Sequence, residues 1–303
     1  MSMVRAGWRW IDRGLWAPAD PRVYALVRIG FSIAALANWA ELFARRHEYF
    51  GSTSLIDMGL LLQQTAGVPY WSVFYFASSD IAVTALFAIA GIAIVALGLG
   101  YQRRLAAVLV YVWHVSYAHA GFPILHGWDS VLRVYAFLLV VSPLPATWSL
   151  DSRLRDARLP STAPPMYGLR LMQWQLAVIY LGTVWLKVDD VGWRHGDVVA
   201  LFQMSIYSRT PNAMWLAYSP MLTNLLTWAS LAIETSVVFL LASARWRAMG
   251  LVLGLALHGS IAVSTTLTSF SLAILAPYAS FLTSCDLDQA RSVAGRTWAR
   301  LSR

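Results

Sequence analysis

Among the 23 lysines and arginines of this chain, only Lys187 is a lysine. An arginine stays charged in almost any surroundings, whereas a lysine amine taken partly out of water can lose its proton and serve as a base. Lys187 closes the apolar run from Leu171 to Leu186. Gln173, Tyr180 and Lys187 recur at seven-residue spacing, so a helix stacks them on one face, and Thr183 joins them four residues before the lysine. Val178 and Leu181 fall on the other side. A polar stripe of this kind lines a cavity or packs against another polar helix. Two plainer readings stay open. The amine could snorkel to the membrane interface, or it could pair with Asp189 or Asp190 just beyond it.

Other ionisable groups lie inside apolar stretches, where they are costly and face a bundle interior or a wet cavity. They are Arg28, Glu41, His114, His119, Arg133, Glu234 and His258. Arg28 and Glu41 are too far apart on one helix to be partners. The spacing of His114 and His119 is not that of a two-histidine zinc helix, so each is expected to make a single hydrogen bond, and no metal site is expected. Glu234 reads either as a pocket carboxyl or as an interhelical hydrogen bond or ion pair. Gly91 to Gly100 reads as a small-residue packing face, and the chain has no phosphate loop, zinc motif or nucleophile elbow.

The elements that must position these groups are membrane helices. The chain is 58% hydrophobic and 13% charged, and its apolar residues are bundled into runs long enough to cross a bilayer. The expected fold is all-α, a polytopic transmembrane bundle of about eight spans at roughly 22–44, 81–100, 104–121, 131–149, 168–187, 222–243, 247–266 and 267–284. The last two are divided only near Thr265 to Phe270. No internal repeat is visible, which counts against an inverted-repeat transporter. Fifteen tryptophans suit aromatic belts at headgroup depth, and the lone Cys285 excludes an internal disulfide.

Fifteen cations fall on one side of these spans and five on the other, which places both termini in the cytoplasm. The net charge of +8 does not imply nucleic acid, because the arginines are spread over loops. Residues 1–20 are expected to form an amphipathic cytoplasmic lead-in without a cleavable signal, 21–285 the transmembrane domain, and 286–303 a basic cytoplasmic tail. The outward segments 45–80 and 188–221 read as short interfacial helices. Span parity also puts His126, Trp128 and Asp129 outside, at the mouth of the cavity expected around Lys187.

Several stretches in order carry a family resemblance. They are the run Gln173 to Tyr180 with Leu186-Lys187-Val188-Asp189, Trp193 and Gly196; Arg28 in the first span; and His126-Gly127-Trp128-Asp129-Ser130-Val131-Leu132-Arg133. Trp148-Ser149-Leu150-Asp151, His258, Phe270-Ser271-Leu272 and Ala276-Pro277-Tyr278 complete the set. Over nearly its whole length the chain resembles the vitamin K-dependent γ-carboxylases and, more broadly, the bacterial HTTM (horizontally transferred transmembrane) proteins. The resemblance implies a bacterial cytoplasmic (inner) membrane protein in which Lys187 is the base that deprotonates a reduced quinone, such as menaquinol or a vitamin K-like quinol. It implies pocket roles for Arg28, His126, Asp129, Arg133, Gln173, Tyr180, Glu234 and His258. Asp129 stands where the carboxylase has a histidine, and the large lumenal C-terminal portion of the carboxylase has no counterpart here, which weakens an expectation of peptide carboxylation. The alternative is a non-enzymatic maturation subunit for a secreted peptide or a partner membrane protein. Membrane lipids are partners in either case.

Overall fold

The computed structural model of the 303-residue chain describes residues 14–68, 70–77, 79–154, 163–209 and 214–301. Most of the expected lead-in, with Arg5, Arg9 and Arg13, lies outside these residues, as do Arg155, Arg158 and Arg303. Among the described residues the fold is all-helical, with only two isolated β-bridges, Pro18 to Pro165 and Ser208 to Thr265. The helices are α1 (Pro21–Ala44), α2 (Arg46–Phe50), α3 (Met58–Gln64), α4 (Asp80–Leu99), α5 (Arg103–Ala120), α6 (Gly127–Val141), α7 (Leu150–Leu154) and α8 (Tyr167–Val188). They continue as α9 (Val191–His195), α10 (Val198–Met204), α11 (Met214–Ala217), α12 (Pro220–Ala242), α13 (Arg247–Ser264), α14 (Thr268–Leu275) and α15 (Ser284–Leu301). Tight 3-10 turns cover Val73–Phe76, Phe122–Ile124 and Ala276–Phe281.

Four helices, α1, α4, α12 and α13, are long and apolar enough to cross a membrane, and the count is five if Thr268–Phe281 and Ser284–Thr297 form one broken span. Each of the eight expected spans coincides with helical structure, but the span count is coarser than expected. The helix expected over 131–149 instead runs from Gly127 to Val141 and has 15 residues. At about 1.5 Å per residue it is shorter than the hydrocarbon core of a bilayer. Pro143 explains the stop: Ser142 before it is extended, with ψ 160°, as a residue preceding proline prefers. The expected 267–284 helix is likewise α14 followed by a 3-10 turn that contains Pro277. The 45–80 segment holds short helices, α2, α3 and the Val73–Phe76 turn.

The chain divides into two compact units, residues 1–171 with 282–303, and residues 172–281. In the first, Asp20 caps α1 and Pro21 fits its first turn. The α1 and α4 helices approach closely where Gly91 lies against the Trp39 ring, whose indole donates to the Phe87 carbonyl at 2.9 Å. Gly98 meets Ser32 in the same seam, which bears out the small-residue face. Phe50, Phe74, Phe87, Trp113 and Tyr117 form the aromatic core around which α2, the Val73–Phe76 turn, α4 and α5 pack. In the second unit α12 and α13 pack against one another, and Gly250 allows the contact because a Cβ there would press on Leu240 and Leu241.

Candidate functional site

In the second unit, Lys187 Nζ donates to both carboxylate oxygens of Glu234, at 2.6 and 2.5 Å. The amine also sits 4.6 Å from the centre of the Trp193 ring, a cation–π contact. Glu234 belongs to the buried face of α12, which runs through Thr223, Thr227, Glu234, Val237 and Leu241 at helical steps of four, seven, three and four residues. The Lys187 side chain is 23% exposed and that of Glu234 10%. Neither aspartate expected as a partner is used. Asp189 pairs with Arg194 at 2.9 Å, and Asp190 caps α9 by accepting from the Trp193 backbone N–H. The reason is that α8 stops at Val188, so the chain leaves the stripe before either aspartate could turn back onto it.

One pair of helical turns earlier, the Tyr180 hydroxyl lies 2.6 Å from His258 Nε2 and 2.7 Å from the Tyr278 hydroxyl. All three side chains are buried, and among the described residues His258 Nδ1 is without a hydrogen-bond partner. Gly254, one turn before His258 on α13, makes the arrangement possible: a Cβ there would collide with the Tyr278 ring. The charge of Lys187 acts on His258 and that of Glu234 on Tyr278, so the two hydrogen-bonded sets share one region of the unit. Gln173 completes the stripe by donating to the Ser280 carbonyl at 2.6 Å. The stripe therefore packs against polar groups on α12, α13 and the Ala276–Phe281 turn. Thr183 departs from it, being exposed and bonded back to the Tyr180 carbonyl.

The remaining expected site residues belong to the first unit. Asp129, in the first turn of α6, accepts from the His126 backbone N–H at 2.7 Å and from the Tyr117 hydroxyl at 2.8 Å. Asn38 of α1 donates to that hydroxyl and accepts from the Trp128 indole at 2.9 Å. Asp129 thus starts α6 and fastens it to α5, and through Asn38 to α1. His126 stacks on Trp128 with ring centres 4.1 Å apart. Arg133 is half-buried one turn along α6 and acts electrostatically on His114 and Tyr117. Arg28 is 1% exposed and donates only to carbonyls, those of Leu97, Gly98 and Trp148, so it closes the C-terminal end of α4. His114 Nδ1 meets the Val110 carbonyl at 2.7 Å, the single bond expected of it, whereas His119 Nδ1 lies 2.8 Å from the Trp71 carbonyl and 3.3 Å from the Trp71 backbone nitrogen, two contacts where one was expected.

Asn38, Tyr117 and Tyr278 were not foreseen as members of these networks. Neutral polar side chains within apolar helices carry no charge signal, although Tyr278 lies in a stretch that carried the family resemblance. Among the described residues no group of three or more His, Cys, Asp or Glu side chains is arranged to hold a metal ion.

No curated protein and no solved structure matches the chain. The model of the HTTM domain matches residues 16–285, a stretch that contains both polar networks and every apolar helix described above. The chain is accordingly a membrane protein of the HTTM family.

Proposed function

We propose that the chain is a membrane enzyme that binds a lipophilic, hydroxyl-bearing molecule of the reduced-quinone type, with Lys187 as its base. The carrying observation is that the only lysine meets a carboxylate beside a buried Tyr–His–Tyr set in one unit of a membrane protein. An ion pair that served only to brace two helices would need none of the neighbouring polar groups, and buried polar groups are expensive to keep. With the shared proton on Glu234, Lys187 Nζ has a lone pair for a hydroxyl proton. With the proton on nitrogen, the ammonium stabilises the oxyanion produced. His258 Nδ1 is a buried polar atom available to a bound oxygen. The resemblance to the γ-carboxylases supports the same role for Lys187.

In this reading the chain sits in a bacterial inner membrane with about eight spans and both termini cytoplasmic. The short helices α2, α3, α9 and α10 lie at the outer interface, where Trp185, Ile206, Trp215 and Tyr218 of the surrounding region are largely exposed. That exposed apolar surface favours one second reading, docking of a secreted peptide or partner membrane protein by a non-enzymatic maturation factor. Mass spectrometry of an organic extract of the purified protein separates the two. A stoichiometric quinone is expected, and a retained peptide with no quinone would overturn the enzyme reading.

A further inference from the structure

Helix α15 has an uncovered face whose chemistry identifies its partner. Its first turn is fastened to the first unit. Arg22, at the start of α1, pairs with Asp288 at 2.6 Å, and Asp286 accepts from the Thr283 backbone N–H and hydroxyl at 2.7 Å. Because α1 is a membrane-spanning helix by length and composition, this pairing places the beginning of α15 at the membrane face where α1 starts. Leu287 is half-buried there, and the helical spacing carries its stripe on through Ala290 and Val293, both exposed, the latter at 53%. The stripe therefore begins against the protein and runs on with no protein over it among the described residues.

The charge on the helix is partitioned as well. Its two acids, Asp286 and Asp288, are consumed by the contacts just described. Arg291 and Arg296 flank the apolar stripe, are exposed, and make no ion pair among the described residues. The sequence adds Arg300 in the last turn. What α15 offers outward is an apolar strip bordered by cations alone, which matches an anionic lipid surface: guanidinium groups at the phosphates, aliphatic groups at the acyl boundary. The HTTM domain match ends at residue 285, so all but the first two residues of this helix lie beyond the matched stretch.

We propose that α15 lies on the leaflet at which α1 begins and docks on its anionic headgroups. The test uses the full-length protein in nanodiscs, on a Cys285→Ser background because the native cysteine is exposed in the first turn of the same helix. A polarity-sensitive fluorophore is attached at Val293→Cys or, as the control on the opposite side, at Ser292→Cys, and quenching by brominated acyl chains is recorded. In phosphatidylglycerol discs the label at 293 is expected to be quenched severalfold more than the label at 292. That difference should collapse in phosphatidylcholine discs, at raised salt, and in an Arg291→Glu/Arg296→Glu variant that still elutes at the position of the parent protein. Equal, weak quenching at both positions in anionic discs overturns the proposal. So does shielding at 293 that is indifferent to lipid charge and to the charge reversals, which would assign the face to a protein surface instead.

Discussion

Lys187 and Glu234, 47 positions apart in sequence, are joined by one ammonium that faces both oxygens of one carboxylate. The contact links α8 to α12 and concentrates in one place the only primary side-chain amine of the chain and one of its few carboxylates within an apolar helix. A brace and a base make different demands on that contact. The brace needs a cation of adequate reach, and the base needs a nitrogen that can give up its proton.

Substitution of Lys187 therefore separates the roles. Lys187→Arg keeps a cation able to pair with Glu234 and should keep most of the thermal stability, yet abolish function. Lys187→Met leaves a largely buried carboxylate without its partner and should cost on the order of 1–3 kcal/mol, below the range for fully buried pairs because Lys187 is 23% exposed. The checks are thermal unfolding of purified protein and complementation of the deletion phenotype. A functional Lys187→Arg protein would sink the general-base proposal.

The Tyr180 hydroxyl serves two buried partners, whereas Tyr278 is bonded through Tyr180. Tyr180→Phe strands His258 Nε2 and the Tyr278 hydroxyl together and should destabilise by roughly 2–4 kcal/mol, while Tyr278→Phe should cost about half as much. Melting temperatures of the two variants, measured in the same detergent, give the ordering. Equal losses would show that the Tyr–His–Tyr set is not held as described.

Asp129→Ala removes both the acceptor for the His126 N–H and the acceptor for the Tyr117 hydroxyl, for a loss of about 2–3 kcal/mol. Asp129→Asn retains one oxygen and should lose less. If Asp129 is a positioning group alone, the activity remaining in each variant should track its folded fraction. Activity lost in a fully folded Asp129→Asn protein would instead give the carboxylate a chemical role.

At Arg28 a lysine is not a conservative replacement. One ammonium cannot replace a guanidinium fork that reaches Leu97 and Gly98 with one nitrogen and Trp148 with the other. Arg28→Lys should lower stability by about 2–3 kcal/mol, with proteolytic cleavage appearing first in the 142–150 connection. A variant as protease-resistant as the parent would argue against the bracing role.

The proposed orientation has a direct check. A reporter active only in the periplasm, fused after Arg303, should be silent. Strong periplasmic signal would mean an odd number of spans or an inverted protein, and either would overturn the proposed orientation.

Helix existence was readable from the apolar runs because a membrane span must satisfy its own backbone hydrogen bonds. Helix ends were less so. The apolar residues from Val134 to Val141 run on into Ser142-Pro143-Leu144, and hydropathy does not register that Pro143 ends the helix where it does. The polar stripe on α8 followed from seven-residue spacing, and Gln173, Tyr180 and Lys187 each find a polar partner as that spacing requires. The identity of the partners did not follow. Asp189 and Asp190 are neighbours of Lys187 along the chain, but the end of α8 carries them away, and Glu234 is brought in by packing between segments far apart in sequence. Asp129 stood out because a carboxylate beside an apolar run attracts a chemical reading, and its capping of α6 shows only once the first turn is seen.

Gly254 gives the second unit a point without mutational tolerance. Each codon change that alters this residue, down to the smallest one to alanine, adds a carbon where the Tyr278 ring already lies. The alignment of two phenols and an imidazole thus depends on an atom that is missing, and no chemically mild neighbour exists for evolution to sample at that position. A lineage that loses this glycine has to move Tyr278 or give up its bond to Tyr180, so Gly254 and Tyr278 are expected to change together or not at all.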